Sequence, residues 1–157
     1  MSSTKVTLVK SFVLLSDYMQ VYLDRILGKG GLSVLYNSIE CLAEYDFGNL
    51  KELEESLKKE MGMDVEIEKE DKKIFVNIKN CPLAETVHLN FFKKGYTNVI
   101  CPVVLLLSSL VKRETKEEIE ISIMYGKNGL EAEIIPFSRE WRDLLSTYKI
   151  YIYLKKE

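Results

Sequence analysis

The apolar positions of this chain recur at helical spacing in its first third and alternate with polar ones later. From residue 6 to residue 27, Val9, Phe12, Val13, Met19, Tyr22, Leu23, Ile26 and Leu27 keep the helical period, which predicts one long helix ended by Gly28, Gly30 and Gly31. Leu14, Leu15, Tyr18 and Val21 widen the stripe beyond a single face. A helix of that kind needs two partners, here its own domain and a second copy of the chain. A second helix is expected from Ser33 to Tyr45, with Leu35, Ile39 and Leu42 inward, and Asp46, Phe47 and Gly48 break it. A third starts at Asn49, a good N-cap with Glu52 three residues on, and closes at Met61-Gly62-Met63. Its Glu54, Glu55, Lys58 and Lys59 form i,i+4 pairs on a solvated face.

The period then falls to two. Val65 and Ile67 alternate with Glu66 and Glu68, Glu70-Asp71-Lys72 makes a polar turn, and Ile74, Val76 and Ile78 alternate with Phe75 and Asn77. This is a hairpin with one buried face. Ile119, Ile121 and Ile123 begin a second hairpin, which turns at Lys127-Asn128-Gly129 and returns along Leu130 to Ile135. Between the hairpins, Cys81-Pro82 opens a helix expected to run to Lys93, and Cys101-Pro102 opens one to Arg113. A short helix around Arg139 to Leu145 and a strand from Lys149 to Leu154 finish the chain. The pattern predicts a single α+β domain over residues 1–157, with N-terminal helices followed by an antiparallel sheet of two hairpins and intervening helices.

Composition narrows the function classes. The chain has 157 residues, 46% hydrophobic and 29% charged, a globular mix that suits one core. A formal net charge of −2 gives no field to hold a polyanion, so generic nucleic-acid binding is excluded as a leading reading. The longest apolar stretch, Val99 to Val111, is interrupted by Pro102, Ser108 and Ser109 and is too short to span a membrane. Asp17 breaks the first apolar stretch and no small-residue cleavage site follows, so no signal peptide is expected and the location is read as cytoplasmic. Three cysteines, an odd number, argue against a disulfide framework.

Chemistry concentrates in one set. A cysteine just before a helix-opening proline faces unsatisfied N–H groups and the positive end of the helix dipole, which favour the thiolate, the form that binds metals or attacks electrophiles. His88, the only histidine, follows Cys81 by seven residues. Cys81, His88 and Cys101 are therefore the candidate metal ligands, with zinc as the metal they would suit. Two helical turns separate Cys81 from His88 by about 10 Å, so a shared ion requires a departure from regular helix. Against the metal stands the plainer reading: two cysteines that cap helices and a histidine on a mixed face. No glycine-rich phosphate loop, nucleophile elbow or paired carboxylates are present, so no catalytic residue is assigned. Phe91, Phe92, Tyr96, Phe137, Trp141, Tyr148, Tyr151 and Tyr153 crowd the last part of the chain, either as core or as the wall of an apolar pocket.

The stretches NLKELEESLKKEMGM, DVEIEKEDKKIFVNIKNCP, NVICPVVLLLSSLVK and IEISIMYGKNGLEAEIIPF follow in the order of a helix, a hairpin, a helix with a second cysteine, and a strand pair. In that order and in cysteine placement, residues 49–137 resemble the 4-vinyl reductase-type domain, a small-molecule or hydrocarbon-binding module. Only Cys81 and Cys101 match family positions. The Glu-x-x-Cys and further Cys that many members carry in the last strand pair are missing here, so no role tied to them is carried over. The resemblance implies a fold related to TRAPP-complex vesicle-tethering subunits, which hold a fatty-acyl chain in an apolar channel, and dimerisation through N-terminal helices. It divides the chain into dimerisation helices over 1–48, a ligand-binding core over 49–137 and a C-terminal helix and strand over 138–157.

The expectation from these readings is a homodimeric module that binds or senses a small apolar molecule between the helix Val103 to Val111 and the sheet. Cys81, Cys101, Leu105, Phe91 and Trp141 would touch the ligand. The alternatives are a small hydrolase dependent on a thiol or a metal, acting through Cys81 or Cys101, and an assembly subunit whose interface is the first helix.

Overall fold

A computed structural model describes residues 15, 19–20, 22–23, 25–28, 30–44, 48–96, 99–138 and 150–155. The helix expected at Arg139 to Leu145, and Trp141 with it, lies outside the described residues. Helices α1 (Gly30–Ala43) and α2 (Leu50–Met61) lead into strands β1 (Asp64–Glu70) and β2 (Lys73–Lys79). A π-helical turn (Ala84–Leu89), a single helical turn α3 (Asn90–Lys93) and the long helix α4 (Pro102–Thr115) follow. Strands β3 (Glu118–Tyr125), β4 (Leu130–Phe137) and β5 (Ile150–Leu154) close the chain. This is the expected α+β class.

Local chemistry sets the helix ends. Asn49 caps α2 by accepting the Glu52 N–H at 2.9 Å, and Gly62 ends it in the left-handed conformation at φ 67°, its N–H donating to Lys58 O. At α4 the proline at the first helical position removes a donor that would be unsatisfied anyway. Two helix limits differ from the periodicity. Gly28, at φ 55°, breaks the first helical stretch, and α1 begins at Gly30, so Gly30 and Gly31 are helical. Here packing overrides the weak helix propensity of two glycines.

The five strands order as β1-β2-β4-β3-β5. Both expected hairpins form, β1 with β2 and β3 with β4, and β2 joins them by pairing antiparallel with β4. The last strand, β5, runs parallel to β3. Along β2 and β3 the buried residues alternate, Ile74, Val76 and Ile78 on one strand and Ile119, Ile121, Ile123 and Tyr125 on the other. That face carries α4, whose residues from Pro102 to Val111 are all buried. Helix α1 packs on the other side of α4, and α2 packs along β1. A helix apolar all round thus becomes the middle layer of three, between the sheet and α1. Among the described residues no helix is long and apolar enough to cross a membrane.

Candidate functional site

The entry to α4 is held by side chains rather than by a strand. Val99, Ile100 and Cys101 are buried, so their backbone groups need partners inside the protein. Tyr125, at the end of β3, donates its hydroxyl to Val99 O at 2.9 Å and accepts from Cys101 N at 2.7 Å. Gln20, buried on the leading helical stretch, donates Nε2 to Ile100 O at 2.5 Å and accepts from Ile100 N at 2.6 Å. Two side chains, one from the leading helical stretch and one from β3, therefore bind four consecutive backbone groups.

His88 and Phe92 pack on the ring of Tyr125, at centroid distances of 5.4 and 5.3 Å and tilts of 57° and 54°. His88 reaches this position through the π-helical turn. Leu83 O accepts from both Val87 N at 3.1 Å and His88 N at 2.9 Å, and this widening rotates the residues that follow. The histidine is fully buried. Phe91 and Tyr96 form an edge-to-face pair at 6.1 Å, and Arg25 closes over Tyr96, donating Nε to its hydroxyl at 2.8 Å. That hydrogen bond is the main cause pushing the surface Arg25 guanidinium above its ordinary pKa.

The sequence-derived site residues divide on this frame. Cys101 is the N-cap of α4, as expected, with no side-chain capping bond, and it is fully buried. Cys81 is not at a helix start. Its carbonyl accepts from Ala84 N in a turn, its N–H donates to Asn128 O at 3.0 Å, and the helical residues begin beyond Pro82 and Leu83. The regular helix expected from Cys81 to Lys93 is instead a π turn followed by one α turn, so the dipole argument for a Cys81 thiolate falls away. Leu105 is buried in the core cluster shared by α4 and the sheet, while Phe91 is half-buried beside the π turn. Among the described residues no three His, Cys, Asp or Glu side chains gather closely enough to hold a metal ion, so Cys81, His88 and Cys101 do not form the expected zinc set.

Gln20 and Tyr125 are the organising residues that sequence reasoning passed over. Tyr125 had a readable signal, since it continues the buried parity of Ile119, Ile121 and Ile123, and a tyrosine there must find a partner for its hydroxyl. Gln20 had only its place as a polar residue in an apolar helix. No protein-family model, curated protein or solved structure matches the chain.

Proposed function

We propose that the chain is a non-enzymatic module that works as a homodimer and takes a small apolar molecule, as the resemblance to 4-vinyl reductase-type domains implies. One observation carries the dimer. Leu15, Met19, Tyr22 and Ile26 are exposed by 64%, 50%, 60% and 60%, at successive spacings of four, three and four residues. That repeat makes a straight apolar seam on a helix, and a seam exposed to water is what a second helix of the same kind covers. Leu27 and, on α1, Val34 are exposed as well, by 47% and 44%.

The ligand reading draws on the half-buried aromatics Phe91, Phe92 and Tyr96 beside the irregular π turn, a backbone feature frequent at functional sites. Within the helix–sheet interface, Leu105 and Cys101 are part of the contiguous core. An apolar molecule therefore approaches from the Phe91 and Phe92 side. The competing reading is an assembly subunit without a ligand, which the burial of α4 from Pro102 to Val111 favours. Extraction of the purified protein with organic solvent separates the two. Release of a lipid-like species, or a rise in melting temperature with added apolar compounds, supports the ligand, and failure of both leaves the assembly subunit.

A further inference from the structure

The leading helical stretch buries its faces in reverse. Leu15, Met19, Tyr22 and Ile26 are exposed, while Gln20 is only 3% exposed. At 3.6 residues per turn the four apolar side chains fall within an arc of about 60°, and Gln20 stands about 130° from its middle. Leu23, half-buried, lies between the two. Apolar burial alone would turn this helix the other way, because a leucine or tyrosine gains by leaving water and a glutamine loses. Apolar burial is also non-directional, so a directional contact has to set the rotation.

That contact is with Ile100, which is wholly buried in the approach to α4. Both of its backbone groups go to one carboxamide. Gln20 Nε2 donates to Ile100 O at 2.5 Å, and Gln20 Oε1 accepts from Ile100 N at 2.6 Å. The amide thus offers Ile100 one donor and one acceptor, as a neighbouring strand would. Arg25 adds a second tie at the surface. Its Nε donates to the Tyr96 hydroxyl at 2.8 Å, and its guanidinium carbon lies 6.0 Å from the centre of that ring. A rotation that brought the apolar seam inward would carry Gln20 away from Ile100. The Ile100 N–H and C=O would then be buried with an apolar side chain in front of them, which is the costly arrangement for backbone polar groups.

We infer that the Gln20 carboxamide selects the rotation of the leading helix, and so decides which face the chain offers to a second copy. The selection stands on the buried Gln20–Ile100 pair; its consequence for pairing rests on the homodimer proposed above. Buried polar residues fix register between packed helices in the same way, at a cost in stability.

Cysteine placement in the full chain tests it. Cys41→Ser removes the exposed thiol and leaves two buried ones, and a single new thiol is added as Tyr22→Cys or Leu23→Cys. If the chain is a dimer, oxidation is expected to cross-link Tyr22→Cys between copies in preference to Leu23→Cys. Gln20→Met keeps the length of the side chain but has no donor for Ile100 O. Added to each, it should lower the ratio of Tyr22→Cys to Leu23→Cys cross-linking roughly tenfold, a shift of about 1.4 kcal/mol between rotations. If light scattering finds only single chains, the homodimer reading fails and this one is still tested: rates of maleimide labelling replace cross-linking, and their ratio should fall in the same way. A ratio unchanged by Gln20→Met in a folded protein overturns the inference. Should Gln20→Met not fold, amide exchange of the parent decides. Ile100 N–H should exchange as slowly as the core amides of β3, and rapid exchange there overturns the inference.

Discussion

Tyr125 ties β3 to the start of α4 with one hydroxyl that donates to Val99 O and accepts from Cys101 N. Removing that oxygen leaves a buried carbonyl and a buried N–H each short of a partner, and a group orphaned in this way costs about 1–3 kcal/mol. Tyr125→Phe keeps the ring that His88 and Phe92 pack against, so the loss should register in denaturant midpoint with the slope unchanged. A midpoint equal to the parent's would mean that the hydroxyl holds nothing. The turn beside it offers a sharper contrast. Gly129→Ala places a methyl against Ile78 O and should destabilise by about 1–3 kcal/mol, the scale of overpacking, whereas Gly126→Ala meets its nearest neighbour at 3.6 Å and should be close to neutral. Parallel melting curves of the two variants check the ordering. At this scale the sequence was partly legible: the parity of Tyr125 announces a buried tyrosine, but its acceptor lies 26 residues earlier in the chain, and only folding brings the two together.

Elements were read best where one local interaction decides them. Asn49 and Gly62 bound α2 through a cap bond and a left-handed residue, and both signals stand in the sequence. Asn49→Ala should cost about 1 kcal/mol of stability, measurable by urea unfolding, and a variant as stable as the parent would show that the cap is redundant. The alternation of Ile74, Val76 and Ile78, and of Ile119, Ile121 and Ile123, defined the strands for the same reason, because one buried face fixes the register. The π turn escaped because Leu83 O serving two donors is decided by how His88 seats on Tyr125, a contact between distant residues. The case for a Cys81 thiolate leaned on a helix that starts at Cys81, and the helical residues begin only beyond Leu83. The parallel pairing of β5 with β3 was likewise beyond any local pattern, since the alternation of Tyr151 and Tyr153 with Ile150 and Ile152 fits either direction.

For the whole molecule, the three layers account for the burial of α4 from Pro102 to Val111, while the seam of Leu15, Met19, Tyr22 and Ile26 stays exposed. Covering four such side chains, each contributing about 1.5–3 kcal/mol when fully buried, works against an association cost of about 4–15 kcal/mol and favours pairing. Tyr22→Glu/Ile26→Glu puts two like charges into the seam and should give a folded monomer by light scattering. Persistence of a dimer in that variant would remove this face as the interface. The central claim, a homodimeric module carrying an apolar guest, is tested most directly by native mass spectrometry of the purified protein. The account predicts a dimer whose mass exceeds two chains by that of a retained small molecule, released when the complex is heated or extracted. A bare single-chain mass at all concentrations would contradict it.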